Sequence, residues 1–288
     1  MVLSNTISPK DEMLAYETLW AMQGKTLKSI ATMFQEHPVL PSQLLKMSSD
    51  MFEVPALQEE VKKYLETKSG FSVCVNGTFQ YPPKLREARY PIELFYYKGD
   101  IELLSNRCVS VVGSRNCSDE GKRRASKLVR GLVENDYTIV SGLALGVDTA
   151  ALTAAIGAGG KVIGVIGTPI DQYYPKENQK LQDSIAENQL LISQVPFYRY
   201  HTEHFKNRRI YFPQRNETMS ALSEATIIIE AGETSGTLTQ ARAAISQGRK
   251  LFILNSCFEN KNLTWPRTYE EKGAIRVRDF VDIFSHLS

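Results

Sequence analysis

The chain has 288 residues, of which 42% are hydrophobic and 23% charged, a composition typical of a folded globular protein and not of a disordered chain. The 34 basic and 32 acidic residues give a net charge of +2, so nucleic-acid binding would need basic residues gathered at one place. Four cysteines without zinc-site spacing, no signal-like N-terminus and no long apolar run predict a cytoplasmic protein with free thiols, without a metal site or a membrane span.

The N-terminal residues 1–75 are predicted to form a small helical domain. Apolar residues recur there at loose helical spacing, and three prolines divide the segment into short helices. Residues from about 76 to 108 are expected to form an extended arm, because residues that precede proline disfavour the helical region. This arm would lead into the main domain, which is predicted to cover residues 76–288.

From residue 109 onward, short apolar runs alternate with helical patterns. The predicted strands cover 109–112, 137–140, 161–166, 190–192, 225–229 and 251–254. The helices between them are expected to follow Ser118 and to cover about 148–158, 177–187 and 237–247. The apolar runs are continuous, as expected of strands buried on both faces. The alternation predicts an α/β fold with an extended Rossmann-like, doubly wound, mostly parallel sheet.

Glycine-bearing turns follow four of these strands, at the edge where open α/β sheets bind ligands. The candidate phosphate-binding residues in these turns are Gly113, Ser114, Arg115, Ser141, Gly142, Gly167, Ser235, Gly236 and Thr237. Turns that lead into helix N-termini offer free amides to an anion, and the hydroxyl groups and the guanidinium add further donors. The alternative is that the glycines only make tight connections, and a single turn of this kind would not decide between the two.

A second group of residues interleaves cations with aromatic rings in what we predict to be a long loop before the fifth strand. The candidate DNA-binding residues there are Lys206, Arg208, Arg209, Phe212, Arg215 and Asn216, and the neighbouring rings are Phe197, Tyr198, Tyr200, Phe205 and Tyr211. This combination suits single-stranded nucleic acid, since cations contact phosphates and rings stack on bases. The alternative is an aromatic loop packed on the domain, with solvated arginines around it.

No sequence pattern indicates catalysis or a bound cofactor. A nucleophile elbow, a Walker loop, an HExxH motif and a Gly-x-Gly-x-x-Gly motif are all absent. Asp148 and Glu230 are the carboxylates expected nearest the glycine turns; we favour a capping role for Asp148, whereas Glu230 is the better candidate for proton transfer. His201 and His204 lack a third ligand nearby, which predicts a polar loop and no metal site.

Taken in chain order, these motifs resemble the DprA/Smf family. The resemblance covers about residues 78–285 and rests on Val-Val-Gly-Ser-Arg at 111–115, Ser-Gly-Leu-Ala-Leu-Gly-Val-Asp at 141–148, Tyr-Pro-Lys-Glu-Asn at 174–178, Phe-Pro-Gln-Arg-Asn at 212–216 and Ser-Gly-Thr-Leu at 235–238. It implies cooperative binding of single-stranded DNA on a Rossmann-like domain, a homodimer, delivery of DNA to the recombinase RecA in natural transformation, and no catalysis. No counterpart is expected of the winged-helix domain that some members append.

Four positions depart from the family pattern. Leu145 and Glu217 stand where many members have cations, Leu152 stands where a histidine is frequent, and Gln194 stands where a glutamate is frequent. Loss of two cations predicts weaker phosphate binding, because most of that affinity is electrostatic.

Two other functions remain open from the sequence. The first is a nucleotide-binding sensor, or a nucleotide hydrolase similar to the LOG-type phosphoribohydrolases, whose glycine–threonine loop the turn at 235–237 faintly resembles. The glutamate downstream of that loop is not reproduced, since Gln240 and Ala241 follow. The second is a protein-interaction module that has lost its ligand.

Overall fold

The structure is a computed structural model that describes residues 7–48 and 54–287. In this part of the chain, a group of short helices precedes an α/β domain. The N-terminal helices are α1 (Pro9–Ala21), α2 (Leu27–Glu36), α3 (Pro41–Met47) and α4 (Val54–Leu65). They enclose a small core around Tyr16, Leu19 and Phe34, each of which is almost completely buried.

The strands of the α/β domain form one sheet. They are β1 (Ser72–Val75), β2 (Leu94–Gly99), β3 (Cys108–Val112), β4 (Thr138–Ser141), β5 (Val162–Ile166), β6 (Leu190–Ser193), β7 (Ala225–Ile228), β8 (Lys250–Leu254) and β9 (Ile275–Val277). Their spatial order is β1-β2-β6-β5-β4-β3-β7-β8-β9. The pairs β1–β2 and β2–β6 are antiparallel, and all other neighbours are parallel. The predicted α/β class and the mostly parallel sheet are thereby confirmed.

The remaining helices cover both faces of the sheet. They are α5 (Asp119–Glu134), α6 (Val147–Gly157), α7 (Gln179–Asn188), α8 (Phe197–Thr202), α9 (Tyr211–Leu222), α10 (Thr237–Ser246), α11 (Asn255–Glu259), α12 (Trp265–Glu270) and α13 (Val281–Phe284). The order reverses at β3: the chain moves from β3 to β6 through α5, α6 and α7, and from β7 to β8 through α10. Right-handed crossovers therefore place α5–α7 on one face and α10 on the other, where it packs on α9.

Burial explains why the central strands were readable from the sequence. Every residue of β3, β4, β5, β6 and β7 is buried, so each of these strands is a continuous apolar run with a few small polar residues. The helix that follows β3 begins as predicted, because the Ser118 hydroxyl accepts a hydrogen bond of 2.9 Å from the Gly121 amide. The continuous apolar runs thus identify the strands of the sheet centre.

Two segments differ from the sequence-based expectation. The predicted arm contains β2, and β1 lies at the end of the predicted helical segment; together they extend the sheet at one edge. The predicted long loop before the fifth strand forms α8, a 3₁₀ turn (Asn207–Ile210) and α9. Both differences arise because neighbouring prolines and dense polar residues mask short elements that tertiary packing stabilises. The division of the chain into two domains at residue 75 stays a prediction.

The N-terminal helices dock on the α/β domain through a buried carboxylate. Glu17 of α1 accepts hydrogen bonds from the backbone amides of Phe197 (2.7 Å) and Tyr198 (3.0 Å) and from the Tyr96 hydroxyl. Burial raises the pKa of Glu17 to about 7, although these three donors and the charge of Lys68 act in the opposite direction. In the described part of the chain, no helix is both long and apolar enough to cross a bilayer.

Candidate nucleic-acid interface

A pocket of about 410 Å³ opens at the carboxyl edge of the sheet, next to the point where the strand order reverses. Three segments form most of its wall: the turn after β3, the first turns of α9, and the turn that precedes α10; Ala144 and Asp148, which follow β4, complete it. The lining residues include Gly113, Ser114, Arg115, Asn116, Phe212, Arg215, Asn216, Ser235, Gly236 and Thr237. Nine of the eighteen lining residues were predicted from the sequence to bind phosphate or DNA, and Asn116 is one of those that were not.

Arg115 is the cation that the pocket presents to solvent. Its side chain is exposed, and it has no ion-pair partner among residues 7–48 and 54–287. The guanidinium carbon lies 5.6 Å from the ring centre of Phe212 and 5.9 Å from that of Tyr174. The two rings lie 5.2 Å apart. A free guanidinium held beside aromatic faces can bind a phosphate while a base stacks next to it.

Backbone amides provide a second set of donors. The N–H groups of Arg115, Thr234 and Gly236 donate to no residue in the described part of the chain. The last two precede α10, whose N-terminus therefore faces the pocket with its partial positive charge. Such a helix end binds anions without any charged side chain of its own.

The hydroxyl groups of this turn fix its shape. The Ser235 hydroxyl donates to Thr237 Oγ1 at 3.0 Å, and the Thr237 hydroxyl donates to the Gly113 carbonyl at 3.1 Å. The Asn216 amide donates to the Gly236 carbonyl at 3.2 Å. These bonds join the turn to β3 and α9, so the three walls of the pocket form one connected unit.

Arg215 differs from Arg115 although both line the pocket. It is only 5% exposed, and its guanidinium donates to the carbonyls of Gly142 and Val165, the latter at 2.7 Å. Burial lowers the pKa of Arg215 to about 10, which the nearby Asp148 carboxylate counteracts. Arg215 therefore holds the ends of β4 and β5 together from beneath the pocket.

The Asp148 carboxylate interacts with backbone N–H groups at the ends of the central strands. Its buried carboxylate faces the backbone N–H groups of Gly113, Gly142 and Ala144, the last at 3.4 Å. Burial raises its pKa, and Arg215 and these amides partly offset that effect. The capping role predicted for Asp148 agrees with this arrangement, and a bound phosphate has to use the outer amides instead.

The glycines of the predicted turns fall into two groups. A side chain at Gly113 would approach Val147 Cγ2 within 2.6 Å, one at Gly142 would overlap the Arg215 guanidinium, and one at Gly167 would approach the Phe212 ring within 2.6 Å. These three glycines make room for packing, as the alternative reading held. Gly232 and Gly236 have open space around them, which leaves the backbone of that turn accessible to a ligand.

Several predicted site residues lie outside the pocket lining. The Ser141 hydroxyl is buried and donates to the Val111 carbonyl at 2.7 Å. Lys206, Arg208 and Arg209 lie on the turn between α8 and α9, where Arg208 donates to two carbonyls and covers the ring of Tyr200.

The aromatic rings of this segment are mostly packed inside. Phe197, Tyr198, Tyr200 and Tyr211 are at most 9% exposed, so the structure favours the packed reading for these four. Phe205 is 65% exposed and Phe212 lines the pocket. Sequence reasoning missed Tyr174, which lies in a recognised motif but whose ring orientation beside Arg115 only the fold reveals.

The departures from the family pattern have different surroundings. Leu145 does not line the pocket itself; it lines a small neighbouring cavity together with Arg115 and Tyr174, so the position that lacks a cation is close to Arg115. Glu217 does not line the pocket, and its carboxyl group, whose pKa burial raises, faces Arg89 and Arg242 instead. Leu152 is fully buried, and Gln194 accepts a hydrogen bond from the Thr218 hydroxyl.

The remaining polar candidates have structural partners. Glu230 accepts hydrogen bonds from the amide and the hydroxyl of Ser118, at 3.0 and 2.7 Å, and so completes the start of α5. Gln240 is buried at the pocket wall, and its carboxamide cannot exchange a proton as a glutamate would. Over the described ranges, no three His, Cys, Asp or Glu side chains are close enough to hold a metal ion.

The sequence matches the family described as DNA recombination-mediator protein A over residues 72–288. The chain belongs to this family. It is 42% identical to the DNA processing protein DprA of Streptococcus pneumoniae over 174 residues, which cover 60% of this chain and 59% of that protein. It is 30% identical to the DprA of Bacillus subtilis over 273 residues, which cover 91% and 89% of the two chains. The match thus spans less than two thirds of the pneumococcal protein.

Solved structures of DprA proteins show the same fold. The crystal structure of the Streptococcus pneumoniae DprA matches with a TM-score of 0.79 at 29% identity, covering 98% of this chain and 99% of that one. The Helicobacter pylori DprA structure, which was described for its single-stranded DNA binding mode, matches with a TM-score of 0.63 at 28% identity and covers 75% and 95% of the two chains. The resemblance to the DprA/Smf family and the Rossmann-like fold with N-terminal helices are confirmed.

Proposed function

We propose that this protein binds single-stranded DNA at the pocket around Arg115 and serves as a DNA recombination mediator. The observation that carries the proposal is the exposed, unpaired Arg115 next to free backbone amides and the rings of Phe212 and Tyr174. A phosphate oxygen can take the guanidinium and the amides while a base stacks on a ring. Membership of the DprA family and the DNA-binding mode described for the Helicobacter relative support the same ligand.

The other predicted interface residues take two different roles in this proposal: some shape the pocket, and others would contact DNA outside it. Gly113, Gly142, Gly167, Ser141 and Arg215 shape the pocket from beneath. The turn between α8 and α9 brings exposed Lys206 and Arg209 to the helix that carries Phe212, so these two cations would extend the interface.

The proposed role involves no chemical step. The carboxylate that was the candidate for proton transfer, Glu230, is held by Ser118, and Gln240 at the pocket wall is neutral. By family membership, we further propose a homodimer that passes DNA to a RecA-type recombinase in the cytoplasm. The four unpaired cysteines suit a reducing compartment. Light scattering at micromolar concentration tests the dimer.

The direct test is a binding measurement with labelled dT20 by fluorescence anisotropy across a salt series. We expect affinity to fall steeply between low and moderate salt, because phosphate contacts release counterions. Arg115→Ala should weaken binding by about tenfold, the effect of losing one charge-assisted contact of about 1.5 kcal/mol. Arg278→Ala, which removes an exposed arginine outside the pocket lining, is the matched control.

Competition experiments separate the proposal from its alternative. Duplex DNA and nucleoside monophosphates are added to the preformed complex with dT20. If labelled dT20 instead gives no anisotropy change at low salt, a labelled mononucleotide is titrated directly; tight binding of it would show a nucleotide-binding protein and overturn the proposal. Release of free base from the mononucleotide would show an enzyme.

A further inference from the structure

Two stretches of this nearly neutral protein carry a local excess of basic side chains: residues 199–215, with five basic and one acidic, and residues 115–130. From Arg115 to Arg130 the chain carries six basic and two acidic side chains, a net charge of +4. The rest of the chain carries 28 basic and 30 acidic side chains, a net charge of −2. One local excess of the kind that a polyanion requires therefore lies in the turn after β3 and on α5 as far as Arg130, before the acidic Glu134 that ends the helix.

This stretch leads directly away from the pocket. The turn after β3 lines the pocket, and α5 starts at Asp119, three residues after Asn116. Because a crossover helix runs back along its strand, α5 leaves the carboxyl edge of the sheet and follows its face. The rise of about 1.5 Å per residue carries the chain about 17 Å from Asp119 to Arg130.

The basic side chains of α5 are on its solvent side. Its apolar residues Ala125, Leu128, Val129 and Leu132 are buried against the sheet and α6. Arg123, Lys127 and Arg130 are exposed, and spacings of four and three residues align them along one side of the helix. We call these three residues the α5 stripe. The adjacent helix α6 has one charged residue, Asp148, which is buried, so it does not neutralise the stripe.

Most of the stripe lacks a carboxylate partner. The two acidic residues of the first turn, Asp119 and Glu120, pair with Lys122, Arg123 and Arg124. Lys127 and Arg130 form no ion pair with any residue that the structure describes. Two cations without counter-charges on a rigid helix are available to an external anion.

We propose that the α5 stripe binds the phosphates of the same DNA strand beyond the nucleotides held in the pocket. The inference rests on the proposed function and extends it to a second contact surface that senses strand length. The stripe offers no rings to stack on bases, and contacts between its cations and phosphates carry no base information, so these contacts are independent of sequence. An acidic membrane is a poorer occupant, because the apolar side of α5 is buried in the core and cannot enter a bilayer.

The test compares a short and a long oligonucleotide. Binding of dT4 and dT20 is measured across a salt series for the wild type, for Lys127→Ala/Arg130→Ala, and for Lys62→Ala/Lys63→Ala. The last variant removes the same charge from exposed positions on α4 and is the control. For dT20, the α5 variant should reduce the slope of log K against log salt by about 1.4, since each lost phosphate contact contributes about 0.7. Its dT4 affinity and all control affinities should match the wild type.

Each other outcome decides a separate question. If the slope of log K against log salt for dT20 is unchanged in the α5 variant, the proposal for the α5 stripe is overturned, while the proposed function of the pocket is unaffected. An equal loss in the α4 control would assign the effect to total charge and overturn it as well. Loss of dT4 binding in the α5 variant would place these residues in the pocket function and not in a second surface. If the wild type binds neither oligonucleotide, the proposed function itself fails, and the stripe with it.

Discussion

Arg115 and Arg215 meet at the same pocket, and their surroundings give them different tasks. Arg115 is exposed beside two rings, whereas Arg215 is buried and donates to carbonyls of two neighbouring strands. Removing either the guanidinium or the carbonyls would leave buried polar groups without hydrogen bonds. Such groups lower the free energy of unfolding. Arg215 is therefore needed for folding before it is needed for binding.

This difference leads to a prediction for Arg215→Met. The substitution should lower the free energy of unfolding by about 3–5 kcal/mol, because it leaves Asp148 buried without its cation and two carbonyls unsatisfied. Urea denaturation followed by circular dichroism measures the change. Arg209→Met, at an exposed position, should change stability by less than about 0.5 kcal/mol. Unchanged stability of Arg215→Met together with lost DNA binding would contradict the structural role.

The sequence identified the residues of the pocket better than their orientations. Turn glycines, hydroxyls and Arg115 were readable because parallel strands end at one edge, where their following turns must meet. The orientation of a side chain depends on packing that no local pattern encodes. For this reason Ser141 and Arg215 were predicted to face the ligand, although both donate to backbone carbonyls inside the protein.

At the scale of elements, α5 connects the pocket to the C-terminal end of the described chain. Gly131 near the end of α5 faces the ring of Phe280, which precedes α13. A methyl group at this position would overlap that ring. By contrast, Gly157 at the end of α6 is surrounded by open space.

Two alanine substitutions test this packing. Gly131→Ala should destabilise the protein by about 1–3 kcal/mol, because Phe280 has to move away from α5. Gly157→Ala should stabilise it by about 0.4–1 kcal/mol, since alanine reduces the freedom of the unfolded chain and meets no neighbour. Thermal denaturation should show a lower Tm than wild type for Gly131→Ala and a higher Tm for Gly157→Ala. A stabilised Gly131→Ala protein would show that α13 does not pack on α5 in solution.

The elements recovered from the sequence were those with uniform burial. The strands β3–β8 are apolar runs, and α5 has a clear apolar side. The helix α9 was missed because buried residues occur all around it, among them Arg215, Thr218 and Ser220, so its pattern has no helical period. The strand β2 was missed because prolines precede it and because its antiparallel pairing depends on distant residues.

At the scale of the whole molecule, the N-terminal helices are attached through Glu17. Its carboxylate receives two amides of α8 and the Tyr96 hydroxyl of β2, so one side chain connects three parts of the chain. The Tyr198 hydroxyl also donates to Glu60 of α4 at 2.6 Å. This contact was not predictable from the sequence, since a glutamate in an N-terminal helix is ordinarily solvated.

Glu17 should make stability depend on pH. Its pKa is about 7 in the folded protein and about 4.5 in an unfolded chain, so the folded state binds the extra proton between these values. The stabilisation is complete below pH 4.5 and is lost as the pH rises to 7. Relative to Glu17→Gln, the wild type should lose on the order of 3 kcal/mol over this range, measured by urea denaturation at several pH values. Parallel pH profiles of the two proteins would contradict the raised pKa.

The position of the Asp148 carboxylate bears on how a bound DNA strand can dissociate from the pocket. This side chain accepts a hydrogen bond from the Ala144 amide and lies near Arg215, so these buried charges have partners within the protein itself. A departing strand leaves behind only solvent-accessible donors, which water can satisfy at once. Binding and release of a strand at this pocket would therefore need no rearrangement of the buried framework.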